Sequence, residues 1–163
     1  MLSRRHLLAL PALALASPVR SQPQAARGRP ALRVEGRVAD GPHGFSVAEL
    51  EALGEGDLVT RTPWTGDAVL RFGGVALERV LRRVRAEGDM LRAVALNDYA
   101  VTVPREDAER HGAFLATRQG GQPLRVRDRG PVWLIYPWTE RPALDHPTYR
   151  ERAIWQLRLI DVR

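Results

Sequence analysis

The segment Pro131–Pro137, with the sequence PVWLIYP, is an almost unbroken apolar run. A run this short, bounded by prolines and rich in β-branched and aromatic residues, predicts a buried strand. Trp133 and Ile135 then face one way along the strand. Leu134 and Tyr136 face the other way, and both faces are apolar. At least half of these side chains are therefore predicted to be core.

Short alternating or apolar segments, separated by turns rich in glycine and proline, recur along the chain and predict further strands. These strands are predicted over Leu32–Val38, Asp57–Thr62, Ala68–Phe72, Leu91–Asn97, Tyr99–Pro104, Ala113–Arg118, Leu124–Asp128 and Ala153–Val162. Helices are predicted over Ser46–Leu53, Val75–Gly88 and Arg105–Gly112. The first begins with the capping box SVAE. The predicted fold class is α+β, mostly β, with two or three short helices packed to the side.

Residues 1–25 have two adjacent arginines, the apolar run LLALPALALA and then small and polar residues. This pattern predicts a cleavable export signal and hence a periplasmic protein. The apolar run is too short for a stable membrane-spanning helix. The opening SRRHLL is similar to a twin-arginine signal, and the general secretory route stays open. Residues 26–163 are predicted to form a single domain.

The composition excludes several functions. The formal net charge of +6 falls to +3 without Met1–Ser21, which gives little support to a nucleic-acid partner. The chain has no cysteine and no lysine, which excludes a thiol nucleophile, a thiolate metal ligand and a Schiff base. The three histidines outside the signal are far apart in the sequence. We therefore predict no catalytic residue and no metal ligand.

The segment Trp138–Arg152 is predicted to be a long loop in which aromatic and charged side chains alternate with prolines. Such a loop suits a flat ligand with polar edges, because rings stack on its faces and charged groups contact its edge. A loop held in place by its own aromatic residues is the alternative. For Trp155, which lies in the predicted last strand, a core position is expected.

Several motifs occur in a fixed order: TPW, GGVALERVL, ALNDYAVTVP, GPVWLIYP and IWQL. In this order they resemble the oxidoreductase molybdopterin-binding domain, which has the sulfite-oxidase fold. The resemblance covers Leu32–Arg163. The enzymes of that family bind molybdenum through a cysteine that follows the strand matched here by Asp57–Thr62. In this sequence the position falls near Thr62, and a hydroxyl does not replace a soft thiolate ligand.

Two more positions depart from the family pattern. Trp133 stands where the arginine that contacts cofactor or substrate usually lies, and Ile154 stands where a lysine precedes tryptophan. The resemblance therefore implies a retained fold, lost molybdenum chemistry, and a pterin as the cofactor without molybdenum. The chain is also similar to small exported pterin-binding proteins of this fold. That similarity implies a periplasmic pterin sensor whose partner is a membrane-bound signalling enzyme of cyclic-di-GMP turnover.

Three functions follow as hypotheses: a pterin-binding module, a molybdopterin-dependent oxidoreductase, and an interaction domain without a small ligand. The third would use a surface patch such as Arg125, Arg127 and Arg129, which alternate along a predicted strand.

For the first hypothesis, the candidate residues fall into three groups by their expected role. The stacking face is expected on Trp64 or Trp138, the contacts to the amino and N–H edge on Asn97, Asp98 and Glu140, and the pocket lining on Tyr99 and Tyr136. The alternatives are a turn between strands at Asn97–Asp98 and a core position for Trp64.

Overall fold

The computed structural model describes residues 29–163, and the predicted signal segment 1–25 lies outside these described residues. The described strands are β1 (Leu32–Gly36), β2 (His43–Phe45), β3 (Glu55–Thr60), β4 (Leu70–Ala76), β5 (Met90–Ala95), β6 (Ala100–Pro104), β7 (Phe114–Gln119), β8 (Gln122–Pro123), β9 (Trp133–Ile135) and β10 (Leu157–Val162). The described α-helices are α1 (Val47–Glu51), α2 (Leu77–Arg83), α3 (Arg105–Glu109) and α4 (Pro147–Arg152).

The strands form two sheets. The first has the order β2-β1-β10-β5-β6, in which β1 and β10 are parallel and the other neighbours are antiparallel. The second has the order β3-β4-β7-β8, and β9 also pairs with β7. The prediction of an α+β, mostly β fold with few short helices is therefore confirmed. No helix within residues 29–163 is long and apolar enough to cross a membrane.

Strand β9 lies in the middle of the hydrophobic core. Trp133, Leu134 and Ile135 are all buried, with at most 1% of each residue exposed. Trp133 pairs with Ala116 of β7, and Ile135 pairs with Phe114. Since side chains on both faces of β9 are buried, the prediction made from PVWLIYP is confirmed.

The capping box that was predicted for α1 is also present. The Ser46 hydroxyl accepts a hydrogen bond from the Glu49 backbone N–H at 3.2 Å, and the Glu49 carboxylate accepts one from the Ser46 N–H at 2.8 Å. These two bonds satisfy backbone groups that have no partner inside the helix. Ser46 therefore has the structural role expected from the sequence.

The predicted strand Leu124–Asp128 is wrong. Strand β8 contains two residues, and a 3₁₀ turn follows over Val126–Asp128. Pro123 has no N–H group for a sheet hydrogen bond, and Arg129 has a left-handed backbone with a φ of 71°. Both features end the extended conformation. The arginines of this segment therefore do not alternate along one strand face.

Two predictions near the C-terminal strand are also wrong. The segment Trp138–Arg152 is not a loop throughout, because α4 begins after the N-cap His146 with Pro147 in the first turn. The last strand begins at Leu157 rather than Ala153, since Gln156 has a φ of 52° and is not extended. Trp155 is consequently not in the core, and 38% of it is exposed.

Two glycines that face each other across β3 and β4 provide a test of the packing. A Cβ atom at Gly74 would lie 2.1 Å from the Leu115 carbonyl oxygen, whereas one at Gly56 would meet only the Phe114 ring at 3.8 Å. We expect Gly74→Ala to lower the free energy of unfolding by about 2 kcal/mol, because rigid backbone must move. Gly56→Ala should change it by less than about 0.5 kcal/mol. Urea unfolding of both variants checks this, and equal losses would contradict the close approach.

Candidate functional site

The other three tryptophans of the chain all pack against Trp64. The centroid of its ring lies 5.8 Å from that of Trp133, 6.2 Å from that of Trp138 and 5.4 Å from that of Trp155. The planes of Trp64 and Trp155 are nearly perpendicular, at 88°. These are favourable edge-to-face distances for aromatic rings. We call these four residues the tryptophan cluster.

Trp64 reaches this position through the turn that follows β3. The Thr62 N–H donates to the Thr65 hydroxyl at 2.8 Å, and the Trp64 N–H donates to the Thr62 hydroxyl at 3.3 Å. The Arg61 N–H donates to the Thr139 hydroxyl at 2.8 Å, which attaches the turn to the segment after β9. The backbone on both sides of the Trp64 turn is therefore held by hydrogen bonds.

Beside the cluster lies a cleft of about 320 Å³, which we call the tryptophan cleft. It is lined by Trp64, Ala95, Asn97, Tyr99, Arg150, Glu151, Ala153, Ile154 and Trp155. Its walls thus come from the turn after β3, the β5–β6 turn, and α4 with the residues that follow it. Tyr99 is 51% exposed and Trp155 is 38% exposed, so aromatic surface faces solvent at the cleft.

Helix α4 is fixed to the protein through the carboxylate of Asp107, which is 1% exposed. The Arg152 guanidinium at the end of α4 donates to both Asp107 oxygens at 3.1 Å, and the Tyr136 hydroxyl donates to the same carboxylate at 2.7 Å. Burial, followed by the negative charge of Asp107, raises the pKa of the Tyr136 hydroxyl far above its usual range. Tyr136 therefore stays neutral and acts as a hydrogen-bond donor.

A second carboxylate joins α4 to the Trp64 turn. Asp145 accepts hydrogen bonds from Arg61 at 2.8 Å and from Arg150 at 2.9 and 2.6 Å. The hydrogen bond from Arg150, supported by the charges of both guanidinium groups, holds the pKa of Asp145 below its usual range. The two walls of the cleft are thus connected through one ionised side chain.

The polar groups of the cleft differ in whether they have partners. The Arg150 guanidinium is paired with Asp145. The Asn97 side-chain oxygen accepts the Tyr99 N–H at 3.2 Å. Within residues 29–163, the Glu151 carboxylate forms no hydrogen bond and no ion pair. It is the one acidic side chain on the cleft wall.

Three of the residues predicted from the sequence line this cleft: Trp64, Asn97 and Tyr99. Two others lie in the core. Tyr136 is fully buried, and Trp138 is 1% exposed, with its indole N–H donated to the Leu144 carbonyl at 3.0 Å. Trp138 therefore supports Trp64 from behind and has no open ring face.

The two remaining predicted residues are not on the cleft wall. Asp98 lies at the tip of the β5–β6 turn with a φ of 65°, and it pairs with Arg158 at 2.5 Å. The side chain of Glu140 is 72% exposed and lies 3.9 Å from Arg141. The turn that was considered as the alternative for Asn97–Asp98 is present, and Asn97 also contributes to the cleft.

The sequence reasoning missed Glu151 and Trp155 as cleft residues. The cause was the prediction of a loop over Trp138–Arg152, which gave Glu151 no fixed position, and of a strand from Ala153, which gave Trp155 a core position. The signal that was available is the tetrapeptide His146–Tyr149, since a polar N-cap followed by proline marks a helix start. A helix over PTYRER would have placed Glu151 and Trp155 near its end.

Comparison with protein families gives one match over most of the chain: residues 23–141 match the family described as "Oxidoreductase molybdopterin binding domain". The chain belongs to this family. No curated protein matches the chain. Trp64, Asn97 and Tyr99 lie inside the matched region. Helix α4, Glu151 and Trp155 lie after it, so this wall of the molybdopterin-binding domain is outside the matched part.

The residues present do not fit a molybdenum ion that is held by the protein. Thr62 is 1% exposed, and its hydroxyl is hydrogen-bonded to the Thr65 hydroxyl at 3.2 Å and to the Trp64 N–H. It is a hard, neutral donor that is already engaged, whereas molybdenum in this family takes a soft thiolate. Residues 29–163 also contain no group of three His, Asp or Glu placed to hold a metal ion.

The salt bridges of Asp145 predict a pH dependence of stability. Since its folded-state pKa lies below the ordinary value of about 3.9, the stabilisation is complete above that value and is lost as the pH falls through the folded-state pKa. We expect Asp145→Asn to lower the free energy of unfolding by about 1 kcal/mol at pH 7. The difference from wild type should disappear when the pH falls below the folded-state pKa.

Urea unfolding at pH 7 and at several pH values below 4 measures this difference. The control is Asp57→Asn, which removes the more exposed pair between Asp57 and Arg71, and we expect a smaller loss at pH 7. A constant difference between wild type and Asp145→Asn at all pH values would contradict the assignment.

Proposed function

We propose that this chain is an exported, periplasmic protein that binds a pterin in the tryptophan cleft and does not carry out molybdenum chemistry. The observation that carries the proposal is the cleft itself. Ring surfaces of Trp64, Tyr99 and Trp155 stand beside an amide and a free carboxylate, in a chain of the molybdopterin-binding family. A flat heterocycle with a polar edge is the ligand class that such a site accommodates.

The size of the cleft supports this ligand class. A volume of about 320 Å³ is at the lower end of the range for small-molecule sites, which begins near ~300 Å³. A bicyclic pterin needs less space than the complete molybdopterin cofactor. The ring stacks on the exposed tryptophan, and the polar groups orient its edge.

The hydrogen bonds of the Thr62 hydroxyl support the proposal that this protein does not carry out molybdenum chemistry. At the position where the family has its metal-binding cysteine, this chain has a buried hydroxyl that is occupied by local hydrogen bonds. We therefore propose a pterin without molybdenum as the ligand. The protein acts as a binding or regulatory module, and the similarity to small exported pterin-binding proteins supports a membrane-bound signalling partner with a periplasmic domain.

Membership of the molybdopterin-binding family favours a second candidate, a molybdopterin-dependent oxidoreductase. In that case the metal would be held by the dithiolene group of the cofactor alone, since Thr62 offers no thiolate. The two candidates differ in metal content, which is directly measurable.

The test uses full-length protein purified from the periplasm of its host. We expect a denaturing extract to contain a fluorescent pterin at a near-stoichiometric level, and elemental analysis to find no molybdenum. The Trp155→Ala variant should retain about a tenth of the pterin or less, because one stacking ring contributes about 1–3 kcal/mol.

The control is Met90→Ala, which also removes an exposed apolar side chain but one that is not on the cleft wall. It should retain the wild-type amount of pterin. Molybdenum near one atom per chain would contradict the proposal in favour of the oxidoreductase. A wild-type extract with neither pterin nor molybdenum would favour an interaction domain without a small ligand.

A further inference from the structure

Of the two charged side chains that line the tryptophan cleft, only the acidic one has no partner among the described residues. Arg150 is the one guanidinium among its lining residues, and both of its contacts go to Asp145. Glu151 also lines the cleft, and its carboxylate has no polar partner within residues 29–163. Among the lining residues the cleft thus offers an unpaired acceptor and no unpaired guanidinium, which favours a ligand group that presents N–H donors. The Arg129 guanidinium lies outside the lining, 6.0 Å from the centroid of the Trp155 ring.

Asn97 provides hydrogen-bond donors to the cleft. Its side-chain oxygen is occupied by the Tyr99 N–H at 3.2 Å. The two N–H donors of its amide therefore remain for a ligand acceptor. The Tyr99 hydroxyl donates a hydrogen bond to the Glu151 backbone carbonyl at 3.5 Å. The wall that carries Asn97 and the wall that carries Glu151 therefore approach each other here.

A 2-amino-4-oxopyrimidine ring has a matching edge. Its 2-amino group and its N3–H are adjacent donors, and its 4-oxo oxygen is an acceptor. A carboxylate accepts from the two donors, and an amide N–H donates to the oxo group. Neither Asp98 nor Glu140 lines the cleft, so Glu151 is the carboxylate in position for this contact.

We infer that Glu151 and Asn97 are the specificity-determining residues of the cleft and select 2-amino-4-oxopteridines over 2,4-dioxopteridines. The inference rests on the proposed pterin-binding function and names the residues that recognise the ligand. In a 2,4-dioxo ring the amino donor becomes a carbonyl oxygen, which the Glu151 carboxylate repels. An acceptor that loses its donor in this way discriminates between the two rings.

The experiment compares two probes that differ in a single group: pterin, with a 2-amino group, and lumazine, with a 2-oxo group. Isothermal titration of the ligand-free wild-type protein should give roughly tenfold or tighter binding of pterin than of lumazine, as one charge-assisted hydrogen bond provides. Glu151→Gln should weaken pterin binding roughly tenfold and leave lumazine binding equal or stronger. The preference should disappear in this variant.

Glu140→Gln is the matched control, because it makes the same chemical change at an exposed carboxylate outside the cleft. It should keep the wild-type preference. Both variants replace exposed side chains, and circular dichroism with urea unfolding verifies that they fold. If Glu151→Gln keeps the wild-type ratio of the two affinities, the inference is overturned while pterin binding stands. If the wild type binds neither pteridine, the proposed function itself is contradicted.

Discussion

The contact of Trp64 with the other three tryptophans is the interaction on which the site depends. Trp64 lies in a turn outside the strands, and Trp133 and Trp138 behind it are buried in and next to β9. Their rings give the turn an apolar support, and the hydrogen bonds of Thr62 and Thr139 fix its backbone. A wide aromatic surface is therefore held in place by ring packing and backbone hydrogen bonds.

The opposite wall depends on charge rather than on apolar packing. A carboxylate as buried as that of Asp107 requires a partner, because the loss of its hydration is otherwise uncompensated. Tyr136 and Arg152 provide this compensation, and Arg152 belongs to α4. The position of α4 is thus coupled to the core through Asp107 and to the Trp64 turn through Asp145. Glu151, between the paired Arg150 and Arg152, has no polar partner for its carboxylate within residues 29–163.

The sequence predicted the parts of the structure whose signals are local. The apolar run of β9 and the capping box of α1 depend on neighbouring residues, and both are confirmed. Of the residues predicted for the site, Trp64, Asn97 and Tyr99 line the cleft, whereas Tyr136 and Trp138 lie in the core. The sequence pattern predicts Trp138 in a loop and Trp155 in the last strand, whereas Trp138 is in the core and Trp155 precedes β10. Trp155 lies outside the last strand because Gln156 has a left-handed backbone, which nothing in the local pattern indicated.

The most direct test of the binding site uses the indole N–H signals, of which a chain with four tryptophans gives four in a ¹H–¹⁵N NMR spectrum. The signals are assigned from single Trp→Phe variants, and the ligand-free protein is then titrated with pterin. We predict large shifts for Trp64 and Trp155 and little change for Trp138, whose N–H is bonded to Leu144 in the core. A shift confined to Trp138, or no shift of any indole signal at saturating pterin, would contradict the account.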